Sequence, residues 1–207
     1  MSAPRLAYRI ETPRLVLRCY DPADAPLLMR AVTESLEHLR PWMPWAMDEP
    51  TPVERKAELL RSFRAKFDTD QDYVYGIFTA DETRLVGSTG LHTRQGGGSL
   101  EIGYWIAQEL QGKGLVTEAA GALVRVGFEA MRAPWIEIRC NPRNTRSFAV
   151  ASRLGFTHDA TLRRRTLAPD GALRDTMVWS LFADEYPESP AAHAQVRAFD
   201  ALRRPIF

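Results

Sequence analysis

Residues 111–117, QGKGLVT, set Gly112 and Gly114 two positions apart, between an apolar run at 100–106 and an amphipathic stretch starting near Thr117. At such a junction the first backbone N–H groups of a helix have no partner within it and sit at the positive end of its dipole. That is a place to hold a diphosphate. Glycine there lets the main chain approach the anion closely and take positive φ at no steric cost.

Other readings share the pattern. A P-loop needs Lys followed by Ser or Thr after its last glycine, whereas Lys113 comes before Gly114. A dinucleotide fingerprint needs a third glycine where Thr117 stands, and it belongs in a strand-helix-strand unit, while hairpins precede this loop. An ordinary glycine loop before a helix fits as well.

A second stretch, residues 140–156, reads CNPRNTRSFAVASRLGF. Together with QGKGLVTEA at 111–119 it resembles the GCN5-related N-acetyltransferase superfamily, and within it the branch of ribosomal-protein N-terminal acetyltransferases. Gln111 and Gly114 match the family's pyrophosphate loop. Val116 stands where the family has glycine or alanine, at a position that offers only its backbone N–H. Asn144 and Ser147 match the asparagine and serine of the family's next helix, and Leu154, Gly155 and Phe156 match its ending. The likeness runs from about residue 12 to residue 182.

The resemblance implies an acetyl-CoA-dependent N-acetyltransferase that passes acetyl to a primary amine by direct attack in a ternary complex. It also implies an α/β fold, with a mixed, mostly antiparallel seven-stranded sheet splayed between its fourth and fifth strands and about four flanking helices. One domain would span 1–207, with its core at about 12–182 and a C-terminal extension at 183–207. The backbone of Gln111, Gly112, Lys113, Gly114, Leu115, Val116 and Thr117 would grip the diphosphate. Tyr104, Trp105 and Ile106 would face the pantetheine arm in the splay, mainly through backbone, and Asn144 would hydrogen-bond it. Plain readings stand beside these: core packing for Tyr104 and Trp105, a helix N-cap for Asn144, a solvated charge for Lys113.

Amide formation needs a neutral amine, an N–H to hold the oxyanion and a proton for the departing thiolate. Glu101, on the strand leading into the site, is the first candidate base, acting directly or through water. His92 on the neighbouring strand is the second. A carboxylate paired with arginine and a hydrogen-bonded structural histidine are the respective alternatives. Ser147 is the candidate acid, because the branch has a serine there that is thought to interact with the CoA sulfur, although a first helical turn also favours serine. The branch's glutamate before the final hairpin turn falls near Leu167 here, so the resemblance supplies no base at that place.

Trp42 and Trp45, in the proline-stiffened segment HLRPWMPWA at 38–46, form either a wall of the acceptor pocket or a plug over the core. The acceptor is a protein N-terminus, as the branch implies, or a small amine of the aminoglycoside or polyamine type. Arg163-Arg164-Arg165 could attract an acidic acceptor or be a solvated face. A non-catalytic acyl-CoA sensor would use the same binding residues, and a nucleoside-triphosphate binder is a third reading.

Pattern also predicts the elements that must position these groups. Residues 14–20 alternate as a half-buried strand, and Asp21-Pro22-Ala23-Asp24 starts a helix with Leu28, Val32, Leu36 and Leu39 on its apolar side. Thr51-Pro52-Val53-Glu54 reads as a capping box opening a helix to about Phe67. A meander of strands follows at 72–79, 84–93 and 99–106. The helix after the glycine loop places Ala120, Leu123, Gly127, Phe128 and Met131 on one stripe. A strand at 135–140 would run parallel to 99–106, because a helix connects them. A short helix to Leu154 with Gly155 as its cap, a hairpin of 156–162 with 176–181, and a tail with a possible helix at 191–204 complete the chain.

Composition bounds the rest. The 207 residues are 45% hydrophobic and 26% charged, which suits one globular domain. With 27 Lys plus Arg against 26 Asp plus Glu, the net charge of +1 gives no field that argues for nucleic acid or an anionic membrane. No signal-peptide core or membrane-length apolar run is evident, so a cytoplasmic protein is expected. Cys19 and Cys140 fall in strands as small buried residues. The four histidines, His38, His92, His158 and His193, are scattered, so no metal is expected. A homodimer joined through sheet edges and C-terminal segments is expected by analogy with relatives.

Overall fold

The computed structural model describes residues 5–207. A short β1 (Arg9–Glu11) precedes β2 (Leu15–Cys19), whose Leu15, Leu17 and Cys19 are buried as expected, while Val16 on the opposite face is buried as well, so the strand is covered on both sides rather than half-buried. Asp21 then caps a helical turn: its Oδ1 accepts from Ala23 N at 2.8 Å, and Asp24 Oδ2 accepts from Asp21 N at 2.9 Å. Arg18 braces Asp24 with a bidentate pair at 2.8 Å. Helices α1 (Ala25–Thr33) and α2 (Leu36–Leu39) follow, and Leu28, Val32 and Leu39 are buried.

Helix α3 (Val53–Asp68) forms without the capping box expected at Thr51. The Glu49 carboxylate takes both the Thr51 N–H, at 2.8 Å, and the Thr51 hydroxyl, and it pairs with the buried Lys56. A side chain that needs an oxygen for Lys56 has thus outcompeted the local cap.

The meander appears as β3 (Tyr73–Thr79), β4 (Leu85–His92) and β5 (Leu100–Ile106), each antiparallel to the next. Helix α4 (Leu115–Arg125) begins at Leu115 rather than Thr117 and widens into a π-turn over Val126–Ala130. There Gly127 packs on β6 (Trp135–Cys140), where a Cβ would lie 2.6 Å from Ile136 Cδ1. Helix α5 (Thr145–Arg153) ends in a Schellman arrangement: Gly155 has φ +86°, and Phe156 N donates to Ala151 O at 3.1 Å. The last hairpin, β7 (Thr157–Leu167) with β8 (Leu173–Phe182), is longer than its hydrophobic pattern suggested and carries bulges after His158 and Leu162.

The sheet has nine strands, not the seven expected, in the order β7-β8-β6-β5-β4-β3-β2-β1 and then β9 (Arg197–Phe199). The additional strands are β1 and β9, paired at Ile10↔Ala198. The helix expected at 191–204 is instead a 3-10 turn, Pro190–His193, followed by β9. The unpaired edge of β1 offers a ladder of N–H and C=O groups, and tertiary pairing overrides local helix propensity there. The tail therefore covers its own chain. Among the described residues there are five α-helices rather than about four.

The parallel pair β5 and β6 shares only Leu100↔Ile136 and Glu101↔Glu137 before the strands part. Their separation is the splay that the resemblance implied.

Candidate functional site

Where β5 and β6 diverge, two cavities meet. The first, about 1040 Å³, runs past residues 104–106, the glycine loop and the start of α5, to a rim at 190–195. The second, about 740 Å³, lies beside the 42–45 segment and reaches His92, Glu101 and Arg174. Trp42, Met43, Tyr104, Trp105, Asn144 and Ser147 line both. Molecules seated in the two cavities would touch at that shared wall.

In the first cavity Gly112 and Gly114 hold φ of +73° and +74°, and Gly114 is the N-cap of α4 with no side chain capping the helix. The first amides of α4 are left for an anion. The loop is tied down from outside: Arg14 Nη1 donates to the Lys113 carbonyl at 2.9 Å, and Glu118 accepts from Arg14 Nε at 2.6 Å and from Thr12 at 2.7 Å. Gln111, Gly112, Gly114, Leu115, Val116 and Thr117 line the cavity, whereas Lys113 is exposed and does not. Arg146, which sequence reading passed over, lines it and donates to the Gln111 carboxamide. The cavity's volume, its uncapped amides and this added cation suit a long polyanionic thioester.

At the shared wall the Tyr104 hydroxyl donates to the Ser147 carbonyl at 2.9 Å and lies 3.2 Å from Ser147 Oγ. Burial pushes the Tyr104 phenol up, against a smaller lowering by Ser147, so it keeps its proton. Asn144 N-caps α5, its Oδ1 accepting from Ser147 N at 3.2 Å, and it still faces both cavities. Burial likewise pushes the Cys140 thiol up to about 11, against a smaller lowering by Ser147, which disfavours the thiolate.

In the second cavity His92 Nδ1 is 2.8 Å from Asp72 Oδ1. The ring lies against two glycines: a Cβ on Gly103 would be 3.2 Å from Nε2, and one on Gly90 would be 2.8 Å from it. Burial raises the Asp72 carboxyl, but the hydrogen bond from His92 and the charges of His92, Arg94 and Lys66 outweigh it and hold the group below its ordinary 3.8. Both oxygens of Glu101 are engaged, Oε2 by Gln95 Nε2 at 2.6 Å and Oε1 by Arg94 at 3.5 Å. Trp45 and Trp105 rings stand 6.0 Å apart at the edge of this cavity, and the Trp42 carbonyl meets Arg174.

Residues 14–157 match the family described as Acetyltransferase (GNAT) domain. This chain belongs to that family. It is an acetyl-CoA-dependent N-acetyltransferase, and acetyl-CoA is its cosubstrate. The Escherichia coli enzyme named [Ribosomal protein uS5]-alanine N-acetyltransferase is 28% identical over 184 residues, 86% of this chain and 92% of that one. The Bacillus subtilis protein named "Probable N-acetyltransferase YjcK" is 29% identical over 136 residues, 65% of this chain and 75% of its own length. The solved structure of Mycobacterium smegmatis RimJ in complex with CoA-disulfide superimposes with a TM-score of 0.81 at 27% identity, over 92% of this chain and 95% of that one. Among the described residues no helix is long and apolar enough to cross a membrane, and no cluster of His, Cys, Asp or Glu could hold a metal ion.

Asp72 and Arg146 escaped sequence reading. The pairing Tyr73↔Leu91 sets Asp72 across from His92, so the register of that hairpin would have found it. Arg146 had no such signal, because its role depends on how α5 approaches the loop.

Proposed function

We propose that this N-acetyltransferase acts on the N-terminal α-amine of a protein; the name of its E. coli relative gives an alanine of a ribosomal protein as acceptor. Such an acceptor would be met in the cytoplasm. The reading is carried by two cavities that share Tyr104 and Ser147, one shaped for CoA and the other open to an acceptor.

Bound acetyl-CoA supplies a thioester whose carbonyl carbon an amine attacks, forming the C–N bond as the C–S bond breaks. His92 removes the amine's proton. Ionised Asp72 can only accept a hydrogen bond, so Nδ1 carries the hydrogen and Nε2 is the nitrogen left to take the amine's proton. Glu101, with both oxygens in contacts, serves instead to attract the incoming ammonium group. Ser147, with Tyr104 behind it, gives a proton to the departing thiolate and regains one from solvent, to which His92 releases the proton it took. Trp42 and Trp45 flank the acceptor as it approaches. Gln111, Gly112, Gly114, Leu115, Val116, Thr117 and Asn144 hold the CoA portion, with Tyr104, Trp105 and Ile106 beside the pantetheine arm.

The test is a mass-spectrometric screen of acetyl transfer to peptides with varied N-termini, run beside a library of small amines. Acetylated peptide α-amines are the expected product. Exclusive modification of small amines or of lysine side chains would refute the acceptor class.

A further inference from the structure

We infer that the acceptor cavity contains an anion subsite formed by Arg165 and Arg174, so that the preferred amine carries a carboxylate close to the attacking nitrogen. The inference rests on the acceptor reading above and names its substrate more closely.

The charge inventory of the cavity carries it. Glu49 faces Lys56, Glu101 faces Arg94, Arg139 has Glu137 at 2.8 Å, and Asp72 accepts a hydrogen bond from His92. Among the described residues Arg165 and Arg174 line the same cavity with no carboxylate partner. Arg174 is short even of hydrogen bonds. Its Nε is buried without an acceptor, and its two terminal nitrogens reach only the Trp42 carbonyl, both at 3.4 Å. A guanidinium presents five donors in a rigid fork, and leaving them unmet in a partly buried place is costly. A carboxylate is their natural complement.

The local backbone places the second arginine. Residues 163–165 form the bulge between Leu162 and Thr166, with Arg164 at φ +51° and its N–H held by Asp175 Oδ1 at 2.9 Å. A bulge of this kind re-aims side chains, and Arg165, unlike Arg163 and Arg164, lines the cavity. Burial also lowers the Arg174 guanidinium, a cost that a bound anion would offset. The CoA cavity does not include either arginine, so they are not accounted for by the cosubstrate's phosphates.

The experiment uses short peptides that share an N-terminal serine and carry Asp, Asn or Lys at one of the next three positions, with free aspartate and glutamate alongside to show whether a small acid suffices. The wild-type protein should favour the Asp peptides over their Asn isosteres by about tenfold in kcat/KM, through KM, as expected for charge-assisted hydrogen bonds. Arg174→Met and Arg165→Met should each erode that preference, Arg174→Lys should restore part of it, and CoA affinity by calorimetry should not change. Arg165 is exposed, so its variant keeps the test intact if Arg174→Met fails to fold. Equal kcat/KM for Asp and Asn peptides would overturn the subsite while leaving acetyl transfer standing. Titration of the same peptides into the CoA-saturated protein reads the subsite even if no acceptor is acetylated. Selective uptake of Asp peptides then supports it, and equal or absent uptake overturns it, whereas absent turnover counts against the proposed acceptor class.

Discussion

Asp72 and His92 are the smallest unit whose chemistry can be separated from folding. Replacing His92 with Gln should lower kcat by about 10²-fold or more, the usual contribution of a positioned proton acceptor, with CoA affinity unchanged. Asp72→Asn keeps the shape but loses the obligatory acceptor, so the imidazole can take the unproductive tautomer, and a smaller fall in kcat of about tenfold is expected. Glu101→Gln should act chiefly on the KM for the amine. If Glu101→Gln has the large kcat effect and His92→Gln the small one, the roles are reversed. Asp72 also sets a pH dependence of stability. The Asp72 carboxyl is held below its ordinary 3.8, so its contribution is complete above about pH 4 and is lost as the pH falls through its folded value. Denaturation of wild type and Asp72→Asn should therefore differ at neutral pH and converge in acid. At the cavity junction, Tyr104→Phe removes the hydroxyl that touches Ser147 and should slow transfer without weakening CoA binding, whereas Ser147→Ala should slow it more.

At the scale of elements, the glycine loop and its helix form one device. An alanine at Gly114 meets only Arg14 Nη2, 3.6 Å away, so space is not the obstacle. Its φ of +74° is, and holding an L-residue there costs about 1–2 kcal/mol. Gly114→Ala should weaken CoA binding by about tenfold in calorimetry as the loop shifts to relieve that strain. Wild-type affinity in this variant would mean that the loop does not grip the diphosphate. This element could be read in the sequence because its signals are local: Gly112 and Gly114 together, then Asn144 at one end of α5 and Gly155 at the other. Thr51 failed as a cap for the opposite reason. Glu49 reached it from outside the four residues that a capping-box pattern considers. The bulge at 163–165 was equally hidden, since a run of three arginines shows no alternation from which its register could be taken.

At the scale of the whole molecule, the meander, the parallel β5–β6 pair and the final hairpin were legible because each follows from neighbouring patterns. The sheet's far edge was not, because β1 and β9 are each only three residues long and meet across nearly the full chain. That edge is coupled to the site. Ala198 is fully buried opposite Ile10, Arg125 donates to the Ala194 carbonyl at 3.0 Å, and the Arg125 guanidinium sits 4.8 Å from the Phe207 ring centroid. Pro190, Ala191, His193, Ala194 and Gln195, at the head of the same segment, form one rim of the cavity proposed for CoA. Deleting residues 195–207 should therefore do two things. It bares the β1 edge and strips apolar cover from the core, so Tm should fall by about 2–8 °C, the shift expected from a loss of about 1–2 kcal/mol in a chain of this size. It also loosens the rim, so the rise in Tm that saturating CoA gives the full chain should shrink in the truncated one. A lowered Tm with an undiminished CoA-induced rise would separate the edge from the cavity, and an unchanged Tm would show that the C-terminal segment lies outside the cooperative unit.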